Sequence, residues 1–428
     1  MYAPHGLGIS VHTDRKVSER GLNECQQARL WTTHSDTVTE INHDGRELMR
    51  YCIVGAGFSG AVYGRALAEA GHKVLVIDER NHVAGNCHSA RDAETGVMTH
   101  RYGPHIFHTG DKRVWDYVGR FSTMMPYNHR VMAVAKGAVY ALPVNLLTIN
   151  QFFGKTMNPA EARAFIAAKA KKISVPRNFE EQALSMIGED LYFAFFRGYT
   201  RKQWGVEPTQ LPASILKRLP LRFDYNDSYF DHPYQAMPED GYTKMIAGIL
   251  TTENVEVRLG ARFEDIDETF AHVVYSGPID RFFDFKLGRL GYRTLDFEVF
   301  RANDNFQGTA VLNYCDEAVP FTRITEHKFF APWEKDQFDR TICYREFSRA
   351  CGSNDIPYYP IRQVDEKAML NKYVELARAT PGVSFIGRLG TYRYLDMDVT
   401  IGEALRAAEK TIELIATGRA IPAFFVDP

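Results

Sequence analysis

A glycine-rich turn, Gly55-Ala-Gly57-Phe-Ser-Gly60, constrains the fold more than any other stretch of the sequence. It follows a strand-like apolar run from Tyr51, opens a helix-like stretch through Ala70, and is answered by Asp78 at the end of the next apolar run, Lys73–Asp78. That order predicts a βαβ unit that binds a dinucleotide. The three glycines do different things. Gly55 permits the tight turn, Gly57 lets backbone amides approach a pyrophosphate, and Gly60 lets helix and strand pack closely. The helix N-terminus offers unpaired N–H groups to the anion, and Asp78 is placed to accept hydrogen bonds from the adenosine ribose hydroxyls. The chain is therefore expected to open as an α/β fold with a Rossmann-type doubly wound sheet.

The rest of the 428 residues divides by periodicity. Residues 1–48 are polar and weakly periodic and are expected to form a flexible N-terminal extension, with the first part of the dinucleotide-binding domain over 49–144. Residues 145–235 turn helical: Pro159–Lys169 is rich in helix formers and Leu184–Phe196 is apolar at helical spacing, predicting an inserted helical domain. Its Lys202–Pro208 stretch, with Gly205 and Pro208, is expected to be a mobile substrate lid. Short β-branched and aromatic runs predict an antiparallel sheet over 236–347. Residues 348–428 return to the first domain through the strand Val383–Gly387 and a helix whose apolar residues Ile401, Leu405, Ala408, Ile412 and Ile415 step by four and three.

Lys plus Arg (51) nearly balances Asp plus Glu (53), so overall charge gives no reason to expect nucleic acid or a membrane surface as partner. No apolar run approaches the ~20 residues of a membrane-spanning helix, and the cytoplasm is the expected location. The six cysteines include no CxxC pair and read as reduced thiols; no metal site is expected, and His105 and His108 around Ile106-Phe107 do not make a zinc pattern.

The return to the opening domain through Gly387-Arg388-Leu-Gly390 and a helix looks like the FAD-binding pattern, in which the start of the last helix meets the ribityl or isoalloxazine side. Asp398 is the expected cap of that helix, with Asp396 as the alternative. Six islands then resemble the bacterial UDP-galactopyranose mutases: Arg80–Asn86, Tyr102–Thr109, Gly198–Gly205, Phe321–Lys328, Ile356–Arg362 and Gly387–Asp396. The resemblance spans about Tyr51 to Ile415. It implies an isomerase that interconverts UDP-galactopyranose and UDP-galactofuranose with no net redox change, N5 of reduced FAD acting as nucleophile on the anomeric carbon, in galactofuranose biosynthesis for the cell wall. It also implies a homodimer or larger homo-oligomer.

A diphosphate leaving group asks for guanidinium groups, and by correspondence with the family these are Arg218 and Arg323. The resemblance puts Tyr359 and Tyr394 beside them on the phosphates. Phe195, Phe196, Tyr199 and Thr200 would meet the uracil, Trp204 and Tyr229 the sugar, and Asn128 and Asn313 the nucleotide. His108 would lie against the flavin. Beyond the glycines and Asp78, cofactor contacts are implied at Phe58, Ser59, Arg80, Asn86, His105 and Arg388, and along Leu395, Asp396, Met397, Asp398, Val399 and Thr400. Ala84 stands where many members have glycine, and Asp78 where many have Glu. The competing readings are an FAD-dependent amine-oxidase-like oxidoreductase and a catalytically silent nucleotide-sugar-binding module.

Overall fold

The computed structural model describes residues 40–41, 47–218, 221–361 and 364–428; the side chains of 40–41 and 47–48 and of Ser214, Lys217, Arg218, Val364 and Asp365 lie outside that description. The first sheet is parallel throughout. Its strands are β1 (Arg50–Val54), β2 (Lys73–Asp78), β3 (Val255–Leu259), β4 (His272–Tyr275) and β5 (Val383–Phe385), in the order β3-β2-β1-β4-β5. β2 buries four consecutive residues, as a parallel strand covered on both faces must. On one face lie α1 (Phe58–Glu69) and the C-terminal helix (Met397–Ala416), tied by Tyr63 Oη and Thr411 Oγ1 at 2.5 Å. The other face is filled by Ile279, Phe283, Tyr373 and Phe385.

A second, seven-stranded sheet runs Ala138–Leu142, Val131–Ala135, Val311–Tyr314, Arg323–Glu326, Arg340–Ala350, Tyr292–Asn303, Tyr359–Pro360. Every pair is antiparallel except Val131–Ala135 with Val311–Tyr314. The structure thus departs from a sheet confined to 236–347. β3 and β4 fall within that range but belong to the first sheet, while strands from 131–142 and 359–360 join the second. Short strands carry no mark of their partners, so runs from two sheets alternate along the chain without a boundary in composition.

The inserted helices form where their local signals say. Asn158 caps Pro159–Lys169, its side chain accepting from Ala160 N and Glu161 N while the Glu161 carboxylate accepts from Asn158 N, and Pro159 occupies the first helical position. The apolar run 184–196 is not one helix, however. Phe179–Leu191 is kinked at Gly188 (φ 73°), Tyr192–Phe196 is a turn of π-helix, and Arg197–Trp204 resumes α-helix until Gly205 (φ 70°). Of the expected extension 1–48, only Glu40–Ile41 and Glu47–Leu48 are described, and they pair antiparallel. Among the described residues no helix is long and apolar enough to cross a membrane. Cys52, Cys87, Cys315, Cys343 and Cys351 are free thiols, and Cys25 lies outside the described residues.

Candidate active site

A cavity of about 840 Å³ opens at the C-terminal ends of β1, β2 and β4 and reaches the start of the C-terminal helix. The glycines make room for it. Gly55 adopts φ 109°, and a Cβ there would lie 2.1 Å from Ser276 Oγ. Gly60 points away from the cavity into the β1 packing, where a Cβ would come within 1.9 Å of Gly55 O. Gly57 and Gly85 lie in contact, a Cβ on Gly85 falling 3.5 Å from Gly57 Cα and one on Gly57 falling 3.9 Å from Gly85 Cα, so that either would sit in space the backbone leaves open. Gly57 is the N-cap of α1 and brings no side-chain cap, so the first amides of the helix stay available toward the cavity.

Asp78 ends β2 with its carboxylate oriented by two backbone amides, Ala56 N and Arg80 N, each at 2.9 Å. Arg80 donates from Nη2 to Asn86 Oδ1 at 2.9 Å and lies over the Tyr102 ring, while its Nη1 is buried without a partner. An unpartnered buried guanidinium nitrogen is costly unless a ligand oxygen meets it. Of the cofactor residues expected from sequence, Gly55, Gly57, Phe58, Ser59, Asp78, Arg80, Asn86, His105, Arg388, Leu395, Met397 and Thr400 line the cavity. Asp396, Asp398 and Val399 do not. Asp396, the alternative to Asp398, takes the N-cap position, and the Asp398 carboxylate accepts from Val399 N within the first turn.

Beside the cavity, register aligns a row of polar residues on one face of the second sheet. Asn313 lies opposite Arg323, Arg323 opposite Glu346, and Glu346 opposite Phe297. Arg323 Nε and Nη2 donate to Glu346 Oε2 at 2.9 and 2.8 Å, and Glu346 is 1% exposed. Burial works against the Arg323 charge, but Glu346 outweighs it and holds the guanidinium protonated far above its ordinary range. Asn313 Oδ1 is buried without a partner. The Tyr102–His105 loop joins row and cavity: a Cβ on Gly103 would lie 3.5 Å from Phe297 and 3.8 Å from Glu346 Oε2.

Tyrosines and histidines close the space around Arg323. Burial pushes the Tyr199, Tyr229 and Tyr359 hydroxyls upward, so all three stay protonated donors, with Arg323 pulling the other way on each. Tyr359 and Tyr394 stack at 5.8 Å with the Arg388 guanidinium over both rings. His105 and His129 are held neutral, each near 3, mainly by burial and further by Arg388 for His105 and by Arg323 for His129. The arrangement sets two guanidinium groups, Arg323 paired with Glu346 and Arg388 over the Tyr359 and Tyr394 rings, among neutral hydroxyl donors, a set that suits an anionic ligand.

Other expected residues sit elsewhere. Phe195 is 3% exposed and packs edge-on to Tyr140 in the core of the insert; the π-turn directs it inward. Asn128 is exposed. His108 does not line the cavity: its Nδ1 meets His232 Nδ1 at 2.7 Å and its ring stacks on Phe230, because the strand Phe107–Thr109 alternates and turns Phe107, not His108, into the core. The Arg218 side chain lies outside the described residues. The Lys202–Pro208 stretch expected as a mobile lid is tethered: Lys202 Nζ donates to three backbone carbonyls, and Gly205 lies against the Arg293 guanidinium. Sequence alone does not mark Glu346, His129 or Arg293 as site residues. For Glu346 there was a signal, a carboxylate in phase with the buried Ile342 and Tyr344. Among the described residues no group of three or more His, Cys, Asp or Glu could hold a metal ion.

The model of the UDP-galactopyranose mutase family matches residues 194–394, and that of NAD(P)-binding Rossmann-like domains matches 53–121. The chain is 56% identical over 376 residues to a probable UDP-galactopyranose mutase of Klebsiella pneumoniae, covering 87% of this chain and 97% of that one. It is 51% identical over 370 residues to a dTDP-fucopyranose mutase of Escherichia coli, covering 84% and 98%. A crystal structure of reduced UDP-galactopyranose mutase shares the fold, with a TM-score of 0.66 at 15% identity over 86% of this chain and 96% of that one.

Proposed function

This chain belongs to the UDP-galactopyranose mutase family, and we propose that its reaction is the interconversion of UDP-galactopyranose and UDP-galactofuranose, with reduced FAD as cofactor. Membership favours this isomerase over the amine-oxidase-like alternative. The carrying observation is the row Asn313–Arg323–Glu346 beside a dinucleotide cavity, with the Arg323 guanidinium held charged and the protonated hydroxyls of Tyr199, Tyr229 and Tyr359 around it. Net redox chemistry on an amine gives no reason for such an anion site; a departing nucleoside diphosphate does.

The residues present fit FAD. The unpartnered Arg80 Nη1 suits a phosphate or ribose oxygen, the Gly57–Gly85 approach leaves a cradle that a Cβ would fill, and the uncapped α1 N-terminus faces the same space. When bound and reduced, the isoalloxazine supplies the nucleophile for the anomeric carbon. The protein's part is to hold that carbon in line and to stabilise the leaving diphosphate while excluding water. Arg323 takes the diphosphate charge, with Tyr359 and Tyr394 donating hydroxyls beside it and Arg218 as the second guanidinium. Tyr199, Thr200 and Phe196 hold the base, Trp204 and Tyr229 border the sugar, and Asn313 donates to the nucleotide. His108 is hydrogen-bonded to His232.

The test is incubation of the purified protein with dithionite and UDP-galactofuranose or dTDP-fucofuranose, the sugars being separated by chromatography beside oxidised controls. Conversion of UDP-galactofuranose only when reduced is expected. Conversion of the dTDP-sugar alone would overturn the substrate assignment and keep the reaction; no conversion of either by flavin-loaded protein would refute the reading.

A further inference from the structure

The helix Arg197–Trp204 carries Tyr199, Thr200 and Trp204; Trp204 packs against the core of the insert, and Gly198 and Thr200 are its buried residues. Its attachment to the second sheet is polar. Lys202 Nζ donates to Tyr314 O at 2.6 Å, Asp316 O at 2.9 Å and Phe321 O at 3.0 Å, which uses all three ammonium protons. Those carbonyls come from both arms of the loop that leaves the strand of Asn313 and enters the strand of Arg323. The helix approaches this loop closely enough that a Cβ on Gly198 would lie 2.4 Å from Cys315 O. At the other end of the helix, Arg293 Nε and Ser348 Oγ donate to Gln203 O at 3.0 and 2.6 Å. Arg197 and Arg201 also pair with Glu317 and Glu207, but these groups are a third to nearly a half exposed and contribute little.

We propose that Lys202 is a positioning residue for nucleotide-sugar binding: by drawing both arms of the 315–322 loop onto the helix, it sets the gap between Tyr199 and Trp204 on one side and Asn313 and Arg323 on the other. This rests on the reading of those four residues as the walls of the substrate site. A point charge with three independently directed donors suits carbonyls arriving from three directions, whereas a planar guanidinium suits the two-nitrogen contact made by Arg323. Without the ammonium, three carbonyls lose their donor at once and the two arms lose their common anchor, so the walls part while the dinucleotide cavity stays intact.

Lys202→Met and Lys202→Gln test this in flavin-loaded, dithionite-reduced protein, with UDP affinity followed by Trp fluorescence and turnover resolved into kcat and KM. Lys202→Met is expected to weaken UDP binding and raise KM about tenfold, the size of a lost charge-assisted hydrogen bond. Flavin content should hold within about twofold, and the rise in KM should exceed any fall in kcat, since Glu346 still holds Arg323; a general loss of structure would not give that split. Lys202→Gln, which keeps two N–H donors, should recover part of the affinity and is read alone if the Met variant does not fold. UDP affinity unchanged in the folded variants, or a fall in kcat without a rise in KM, overturns the proposal. Arg323→Ala runs alongside. If it binds UDP and turns over normally, the substrate-site reading fails and takes this inference with it; if it loses UDP while Lys202→Met keeps it, only the inference fails.

Discussion

Removing the Arg323 guanidinium should damage the protein in two separable ways. Glu346 is 1% exposed and receives both Arg323 nitrogens on one oxygen, so Arg323→Ala leaves a buried carboxylate without its counter-ion. Breaking a buried pair from one side costs about 3–5 kcal/mol. Part of that is relieved if Glu346 takes up a proton. A carboxyl whose folded pKa rises above its unfolded value binds more protons in the folded state, so the variant's deficit relative to the unmodified protein should grow as pH rises above the ordinary Glu value and shrink toward acid. Arg323→Ala/Glu346→Gln removes the stranded charge and should be more stable than the single variant by about 2 kcal/mol near neutral pH, and its own deficit should depend little on pH. Mutase turnover should fall at least about a hundredfold in both, since the lost electrostatic stabilisation of the leaving diphosphate is not restored. Urea unfolding at several pH values, paired with turnover of reduced protein, gives both quantities. A double variant no more stable than the single one would refute the ion-pair reasoning, and one that regained turnover would refute the role of Arg323.

Acid should unfold the protein early. His100, His129, His272 and His327 are 6% exposed or less, and burial holds them neutral, the first near 4, the next two near 3 and His327 well below its ordinary range. A depressed histidine lets the unfolded chain bind the extra proton, so stability is lost as pH falls below about 6.5; four such groups amount to about 6 kcal/mol at pH 5.5. Melting temperatures measured from pH 7.5 to 5 should drop steeply, and a flat profile would contradict the burial argument. The glycines should respond differently to an added methyl group. Gly57→Ala has ordinary backbone geometry and its Cβ would meet only Gly85 Cα at 3.9 Å, so it should fold normally but lose flavin absorbance per protein; Gly60→Ala drives a Cβ to 1.9 Å from Gly55 O and should lower the melting temperature itself. Equal melting temperatures for the two variants would count against the steric assignment.

What the sequence determined by itself was local or consecutive: the strand–glycine turn–helix unit with Asp78, the helix Pro159–Lys169, the parallel core of β1 and β2, and the return of the last strand and helix to the first sheet. The six islands carried the family because they hold its characteristic residues in unbroken runs. The helix break at Gly188 and the π-turn after it were hidden, since an apolar run at helical spacing does not reveal which residue leaves the α-helix. Tertiary structure alone decided which strands pair. Asn313, Arg323 and Glu346 are separated by up to 33 residues and become neighbours only through register, which then fixes the charge state of Arg323. The same holds for Lys202, whose three acceptors are backbone carbonyls more than a hundred residues away. A carbonyl belongs to every residue alike, so no side-chain pattern announces which of them a buried ammonium will find.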